Sequence, residues 1–356
     1  MKPIDDYIKN PNLDIGGCLV TMSGPPGCGK TNSLTQIAID RFNEDHKVLW
    51  RGTAQAQWAA FMANDTPVKV WLDSNISSFS AWVSRQDGSE NIDLEEKVDE
   101  IEHFDEAEGL IEKATSNAIN VVIVPGLMGD TKEKYYFRKT WIDILKALVN
   151  RRDVANPFSF FTDEGGDIWP CQQQLRKPFY KLVAEDTPPL LAQLRKQNVF
   201  MYVAAHSTHD LHYFVWKIKG NTIAYMSNAK VQKDIHTEVD QSKVNRLSRG
   251  EMVVPPKDRA EFYLAYEVSD LDWVGSDAKF RMSWEANIPD LLDQEKKVQV
   301  ENRDQIPKSM LSKIQKEVKV DWVNYMSKEL EMSYSEITEV EGLPNSKATI
   351  SSWVNA

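Results

Sequence analysis

The sequence predicts an α/β chain built on a mainly parallel, doubly wound sheet, followed by a small all-α C-terminal region. Three observations predict this. An apolar run, GCLVTM, feeds the glycine-rich stretch SGPPGCGKT (Ser23 to Thr31), after which Leu34, Ile37, Ala38 and Phe42 recur at helical spacing. Strand-like and helix-like segments then alternate along most of the chain, as in a sheet whose parallel strands are joined by helices. A later apolar run, NPFSFFTDEGGDIWP, delivers two adjacent carboxylates, Asp163 and Glu164, at its carboxyl end.

The glycine-rich stretch has the spacing G-x-x-x-x-G-K-[ST], with Gly24, Gly29, Lys30 and Thr31 in the defining places. Backbone N–H groups in such a loop wrap a phosphate chain, so side chains at the closest approach would be in the way. Gly24, Pro25, Pro26, Gly27, Cys28 and Gly29 are expected to form the cradle, with Lys30, Thr31 and Asn32 opening the helix whose N-terminus faces the phosphates. Lys30 then reaches the β/γ-phosphates and Thr31 holds Mg²⁺. The expected nucleotide is ATP.

The carboxylate pair completes this chemistry. Asp163 is expected to hold Mg²⁺ and Glu164 to orient and deprotonate the water that attacks the γ-phosphate. A kinase acting on a bound small molecule has no need of such a glutamate, so the pair favours hydrolysis of ATP.

Composition bounds the rest. A chain of 356 residues, 42% hydrophobic and 27% charged, can bury a large core. No apolar run approaches the roughly 20 residues of a membrane span, and MKPIDDYIKNPNLD carries acidic residues where a signal peptide is basic and then apolar. A cytoplasmic protein without a membrane partner is expected. Cys18, Cys28 and Cys171 show no C-x-x-C spacing, which fits a reducing compartment and argues against a disulfide framework. The net charge of −11 gives no global basic footprint for nucleic acid, although a ring can confine its basic residues to a central channel.

Further strands are expected at His46 to Gly52, Val68 to Leu72, Asn120 to Gly126 and Val199 to Ala205. Arg51, at the carboxyl end of the first of these, is either a site residue or an ordinary exposed arginine. The acidic stretch of about 86–112 is expected to be a solvated helix-and-loop insertion, with a metal or protein-partner role as the alternative. The segment EKYYFRKTWIDILKALVNRRD is expected to be a helix ending at Arg151 and Arg152, where cations are favoured. Asp167 and Trp169 receive no role. His206 ends the strand of Val199 to Ala205, where it can sense the γ-phosphate, with a helix start at Asp210. Its spacing with His209 and His212 leaves zinc as a weaker reading.

The order of these motifs resembles the HerA-FtsK superfamily of P-loop ATPases, a group with RecA-like cores that includes DNA-translocating motors and viral packaging ATPases. The resemblance is carried by SGPPGCGKT, FFTDEGGDIWP, LLAQLRKQNVFMYVAAHS and IKGNTIAYMSNAKVQKDI with VNRLSRGEMVV, over about Gly16 to Ala265. It implies that Arg195 reaches the neighbouring subunit's nucleotide and that His206 stands where the family usually has glutamine. It also implies a homo-oligomeric ring, a hexamer, that hydrolyses ATP to move double-stranded DNA. Genome packaging for a virus or mobile element is the expected task, in the host cytoplasm if viral, with a capsid or portal-type partner. The alternative is an ATP-switched DNA-binding regulator or replication initiator.

Three regions are expected: a P-loop ATPase domain over 1–290, a linker and helix over 291–330, and a helix-turn-helix-like segment over 331–356. In the last, Ser335 is expected to cap a helix bearing Ile337 and Val340, and Ile350 and Trp353 line a second helix. The pair is either a DNA-reading unit, with Lys347 as the one cation of its second helix, or a hairpin used for docking.

Overall fold

A computed structural model describes residues 17–52, 57–84, 91–95, 98–175, 177–217, 221–231, 239–254, 263–265, 279–292, 319–324, 326–328, 332–338 and 346–354. The chain forms two compact units. One comprises 1–216 with 220–289, and the other 217–219 with 290–356.

The first unit is organised by a ten-stranded sheet in the order β12-β11-β10-β1-β9-β8-β2-β7-β3-β6. Its strands are β1 (Leu19–Ser23), β2 (Lys47–Arg51), β3 (Val68–Asp73), β6 (Glu100–Phe104), β7 (Ile119–Ile123), β8 (Phe158–Thr162), β9 (Val199–Ala205), β10 (Asn221–Met226), β11 (Met252–Val254) and β12 (Tyr263–Ala265). Only β11 and β12, at one edge, pair antiparallel; the rest run parallel. This is a P-loop NTPase core.

The central strands are continuous apolar runs because helices cover both faces. In β8, alternate residues serve opposite sides of the sheet. Phe161 stacks on Tyr202 of β9 (4.6 Å between ring centres) and on Trp50 of β2 (5.9 Å), in the core shared with Leu34 and Ile37 of α1 (Lys30–Asn43). Phe160 meets Trp141 on the other face at 5.7 Å. Trp141 belongs to helix α4 (Thr131–Asn150), which follows the short α2 (Ala59–Ala63) and α3 (Ala107–Lys113). Asp130 caps α4 by accepting from the N–H groups of Lys132 and Glu133. At its other end Arg151 donates to the Leu148 carbonyl (2.7 Å) and to the Gln197 carbonyl, as a cation at a helix C-terminus should.

The acidic stretch differs from expectation. It contains the edge strand β6 and α3 rather than only helix and loop. Lys69 of β3 explains the strand, since its ammonium bridges Glu100 and Glu102 at 2.7 Å each. Opposite charges on neighbouring strands here do what apolar alternation does elsewhere. A second sheet, unforeseen in the sequence, joins β13 (Lys279–Ala286), β4 (Ile76–Ser84) and β5 (Asn91–Asp93) in antiparallel pairing. After β8 comes a helical run, Lys177–Leu194, whose middle, Lys181–Asp186, has π geometry. Pro188 and Pro189 lack the N–H groups that would bond the Ala184 and Glu185 carbonyls in an α-helix, and the Thr187 hydroxyl donates to the Leu182 carbonyl (2.8 Å).

In the second unit Ile337 and Ile350 are fully buried, one on each of two short helices, Tyr334–Thr338 and Lys347–Val354. The first is capped by Ser333, not Ser335. The Ser333 N–H donates to Glu336 Oε2 (2.9 Å) and the Glu336 N–H to Ser333 Oγ (3.3 Å), a reciprocal capping box. Val340 and the side chains of Lys347 and Trp353 lie outside the described residues. Among the described residues, no helix is long and apolar enough to cross a membrane.

Two buried histidines give the first unit a pH dependence. Burial, helped by the charge of Arg41, pushes His46 down to about 3, and burial alone pushes His212 down to about 4. Both rings are protonated first in the unfolded chain, near 6.5. Their contribution is therefore complete above pH 6.5 and is lost as pH falls below it, at on the order of 1 kcal/mol per pH unit for each ring. Urea unfolding at pH 7 and pH 5 should show this loss. His212→Phe, which keeps the stacks on Tyr213 and Phe214 (each 4.8 Å), should reduce it.

Candidate functional site

Two consequences of strand order build the site. β1, β8 and β9 are parallel, so their carboxyl ends lie at one edge, and β9 stands between β1 and β8. Residues that follow β9 therefore fall between the phosphate loop and the carboxylate pair.

The loop from Gly24 to Gly29 leaves β1 tied to β9, with the Gly24 N–H donating to the Ala205 carbonyl (3.2 Å). Gly29 precedes α1 at φ 102°, in the left-handed region, and a side chain there would also strike the backbone of Gly250 at 3.1 Å. Cys28 is buried against Gly24, and burial raises its thiol pKa, so it is a small filler and no nucleophile. Lys30 donates from Nζ to the carbonyls of Gly24 (2.7 Å) and Pro25 (3.1 Å). The Thr31 hydroxyl donates to Asp163 Oδ2 at 2.5 Å.

Glu164 follows β8 in the left-handed region, φ 57° and ψ 56°. That conformation costs a non-glycine residue about 1 kcal/mol or more and needs external support. Arg51 supplies it. Its side chain, 1% exposed, donates to the carbonyls of Asp163 (2.6 Å) and Glu164 (3.0 Å) and to Asp167 Oδ2 (2.5 Å). Arg138 of α4 donates to the Asp167 carbonyl at 2.9 Å, and burial lowers its pKa to about 10. Arg51 is thus a buried anchor of the carboxylate turn, and Asp167 is its partner.

His206 closes the arrangement. Lys30 Nζ donates to its Nδ1 (3.2 Å), which leaves the Nε2 hydrogen to donate to Glu164 Oε1 (3.1 Å). A chain of hydrogen bonds thus runs Lys30–His206–Glu164. Burial raises the Glu164 pKa, opposed by His206, with Asp163 and Asp167 raising it further. The other two histidines lie elsewhere. His209 is exposed, whereas the His212 ring is buried among Tyr213 and Phe214. The helix after β9 begins at Tyr213 rather than at Asp210, preceded by a 3₁₀ turn, Thr208–Asp210, that Ser207 caps.

Lys30, Thr31, Asp163, Glu164 and His206 line a cavity of about 360 Å³ with part of the loop, joined by two residues that carried no sequence expectation, Gln57 and Arg249. Arg195 lies apart. It stands in a 3₁₀ turn before β9, at the opposite edge of the sheet from the phosphate loop, and its side chain is outside the described residues. Thr31 and Asp163 offer two hard oxygen donors beside the cradle. That set fits Mg²⁺, which takes one or two protein ligands and completes its shell with phosphate and water oxygens. Among the described residues there is no cluster of three His, Cys, Asp or Glu side chains able to hold a metal unaided.

No protein-family model matches the chain, and no curated protein matches it in sequence. Among solved structures it is similar to the genome packaging NTPase B204 from Sulfolobus turreted icosahedral virus 2 in complex with AMP, at 10% identity over 70% of this chain and 98% of that one, TM-score 0.39. It is similar to the bacterial conjugative coupling protein TrwBΔN70 at 10% identity over 73% and 87%, TM-score 0.47. The N-terminal domain of zonular occludens toxin from Neisseria meningitidis is similar at 14% identity over 72% and 98%, TM-score 0.28.

Arg51→Met should destabilise the first unit by about 3 kcal/mol, because it strands two buried carbonyls and one carboxylate oxygen. Asp167→Asn should cost about 1 kcal/mol or less, since Asp167 is 32% exposed and solvent screens it. Urea unfolding of the two variants tests the order.

Proposed function

We propose that this chain is a Mg²⁺-dependent ATPase that couples hydrolysis to movement of double-stranded DNA, as a homo-oligomeric ring, most simply a hexamer. The observation that carries hydrolysis is the hydrogen-bonded chain Lys30–His206–Glu164 beside the Thr31–Asp163 pair. The DNA-moving role rests on the motif resemblance described above, and packaging of a viral or mobile-element genome is the task we assign.

In this reading the backbone N–H groups of Gly27, Cys28 and Gly29 bind the phosphates and Lys30 neutralises them. Thr31 and Asp163 would hold Mg²⁺, which when bound screens the charge on the phosphate oxygens. Glu164 takes a proton from the attacking water, and its raised pKa makes it a stronger base than an ordinary carboxylate. His206 donates from Nε2 to Glu164 and accepts from Lys30, so it contacts both the base and the phosphate-binding cation. A change at the γ-phosphate therefore alters both of its hydrogen bonds, which makes it the sensor of the cycle. Arg195 of an adjacent subunit completes the charge stabilisation.

Glu164→Gln should lower phosphate release about 10²- to 10⁴-fold while ATP binding, followed by titration calorimetry, is retained. Unchanged turnover would sink the assignment of the base. In the wild type, turnover should fall with acid along a limb lying above the ordinary glutamate value near 4.3, because protonated Glu164 cannot accept the proton. Turnover should rise on adding double-stranded DNA of any sequence. A footprint confined to one sequence, with no such stimulation, would instead favour the nucleotide-switched regulator or initiator.

A further inference from the structure

We infer that Arg249 binds the α-phosphate end of the nucleotide in this chain's own pocket, away from the bond that breaks. The inference rests on the ATP-site reading above and goes beyond it, since every residue of this chain's own pocket so far assigned a role comes from the loop, the start of α1 or the turns after β8 and β9.

β11 runs antiparallel to β10, so its first residue lies at the same sheet edge as the phosphate loop. The turn before β11 delivers Arg249 to that edge. The Glu251 N–H donates to the Ser248 carbonyl (3.1 Å), and the Ser248 N–H donates to Glu251 Oε2 (2.6 Å). The next residue fastens the turn to the loop itself, with the Gly250 N–H donating to the Cys28 carbonyl at 2.9 Å. Gly29 and Gly250 face each other so closely that a methyl on Gly29 would sit 3.1 Å from Gly250 Cα and N. The backbone beside Arg249 is therefore held against the cradle, while its side chain is exposed and lines the cavity with Lys30 and Glu164.

Strand order says which end of the ligand it meets. β8 and β9 lie on one side of β1, and β10 and β11 on the other. Asp163, Glu164 and His206 follow β8 and β9, so the γ-phosphate belongs at that end of the cavity. A triphosphate whose γ-phosphate lies there presents its α-phosphate and nucleoside toward β10 and β11, where Arg249 stands. A planar guanidinium can donate two parallel hydrogen bonds to a phosphate, a geometry a lysine ammonium does not match.

The experiment is titration calorimetry of the full chain with ADP and with ATP, using the wild type, Arg249→Ala, Arg249→Lys and Lys30→Ala. Arg249→Ala should weaken ADP and ATP by the same factor, about tenfold or more, with Arg249→Lys recovering part of the loss. A loss for ATP with none for ADP would put Arg249 at the γ-phosphate and overturn the inference. If Lys30→Ala loses ATP while Arg249→Ala binds both nucleotides as the wild type does, the ATP site stands and this inference falls alone. If Lys30→Ala also binds ATP normally, the ATP-site reading fails and takes the inference with it. Arg249 is exposed, so its variants should melt with the wild type, which separates lost binding from lost folding.

Discussion

A buried guanidinium holds up the chemistry of this protein. Arg51 ends β2, one strand beyond β8, and from there it reaches under the turn in which Glu164 is bent into the left-handed region. A carboxylate in that conformation would relax to a commoner one if its carbonyl were free to turn. With the carbonyls of Asp163 and Glu164 both committed to Arg51, the side chains are committed too. Asp163 turns toward Thr31 and Glu164 toward His206. The carboxylates are thus oriented by protein groups alone, as a site requires if its dipoles are to stabilise a transition state without reorganising.

The sheet provides the other half of that arrangement. β9 is a central strand, with β1 on one side and β8 on the other. Its seven residues are all buried, and whatever follows it emerges midway between loop and carboxylates. His206 is therefore placed by register more than by any contact of its own. An imidazole suits the place because its two nitrogens can accept from one neighbour and donate to the other at once.

Much of this was legible in the sequence, and the parts that were not share a cause. The central strands stood out because both their faces are covered, which forces continuous apolar runs such as NVVIV and FMYVAA. β6 did not, because EIEHF is an exposed edge joined to β3 through Lys69, and its glutamates looked like solvated surface. β4 was missed because its partner β13 lies about two hundred residues further along the chain. The loop, Asp163, Glu164 and His206 were readable as local motifs. Arg51 and Asp167 were not assignable, since the pair exists only after residues 116 apart in sequence meet. For Arg249 the available signal was weak: one cation directly before the Gly-Glu start of a short strand.

The close approach of Gly250 to Gly29 has a consequence for how the protein is made. β1 is the first strand of the main sheet to leave the ribosome, yet its two partners are β9 and β10, and the cradle is braced at Cys28 by a residue 222 positions later (28 to 250). At about 5–20 residues per second, that interval is roughly 10–45 s of synthesis. For most of it, until β9 at Val199–Ala205 has been made, the apolar strand LVTMS has neither of its neighbours. The nucleotide pocket is thus among the last parts of the first unit to be completed during translation, although its defining motif is among the first to appear.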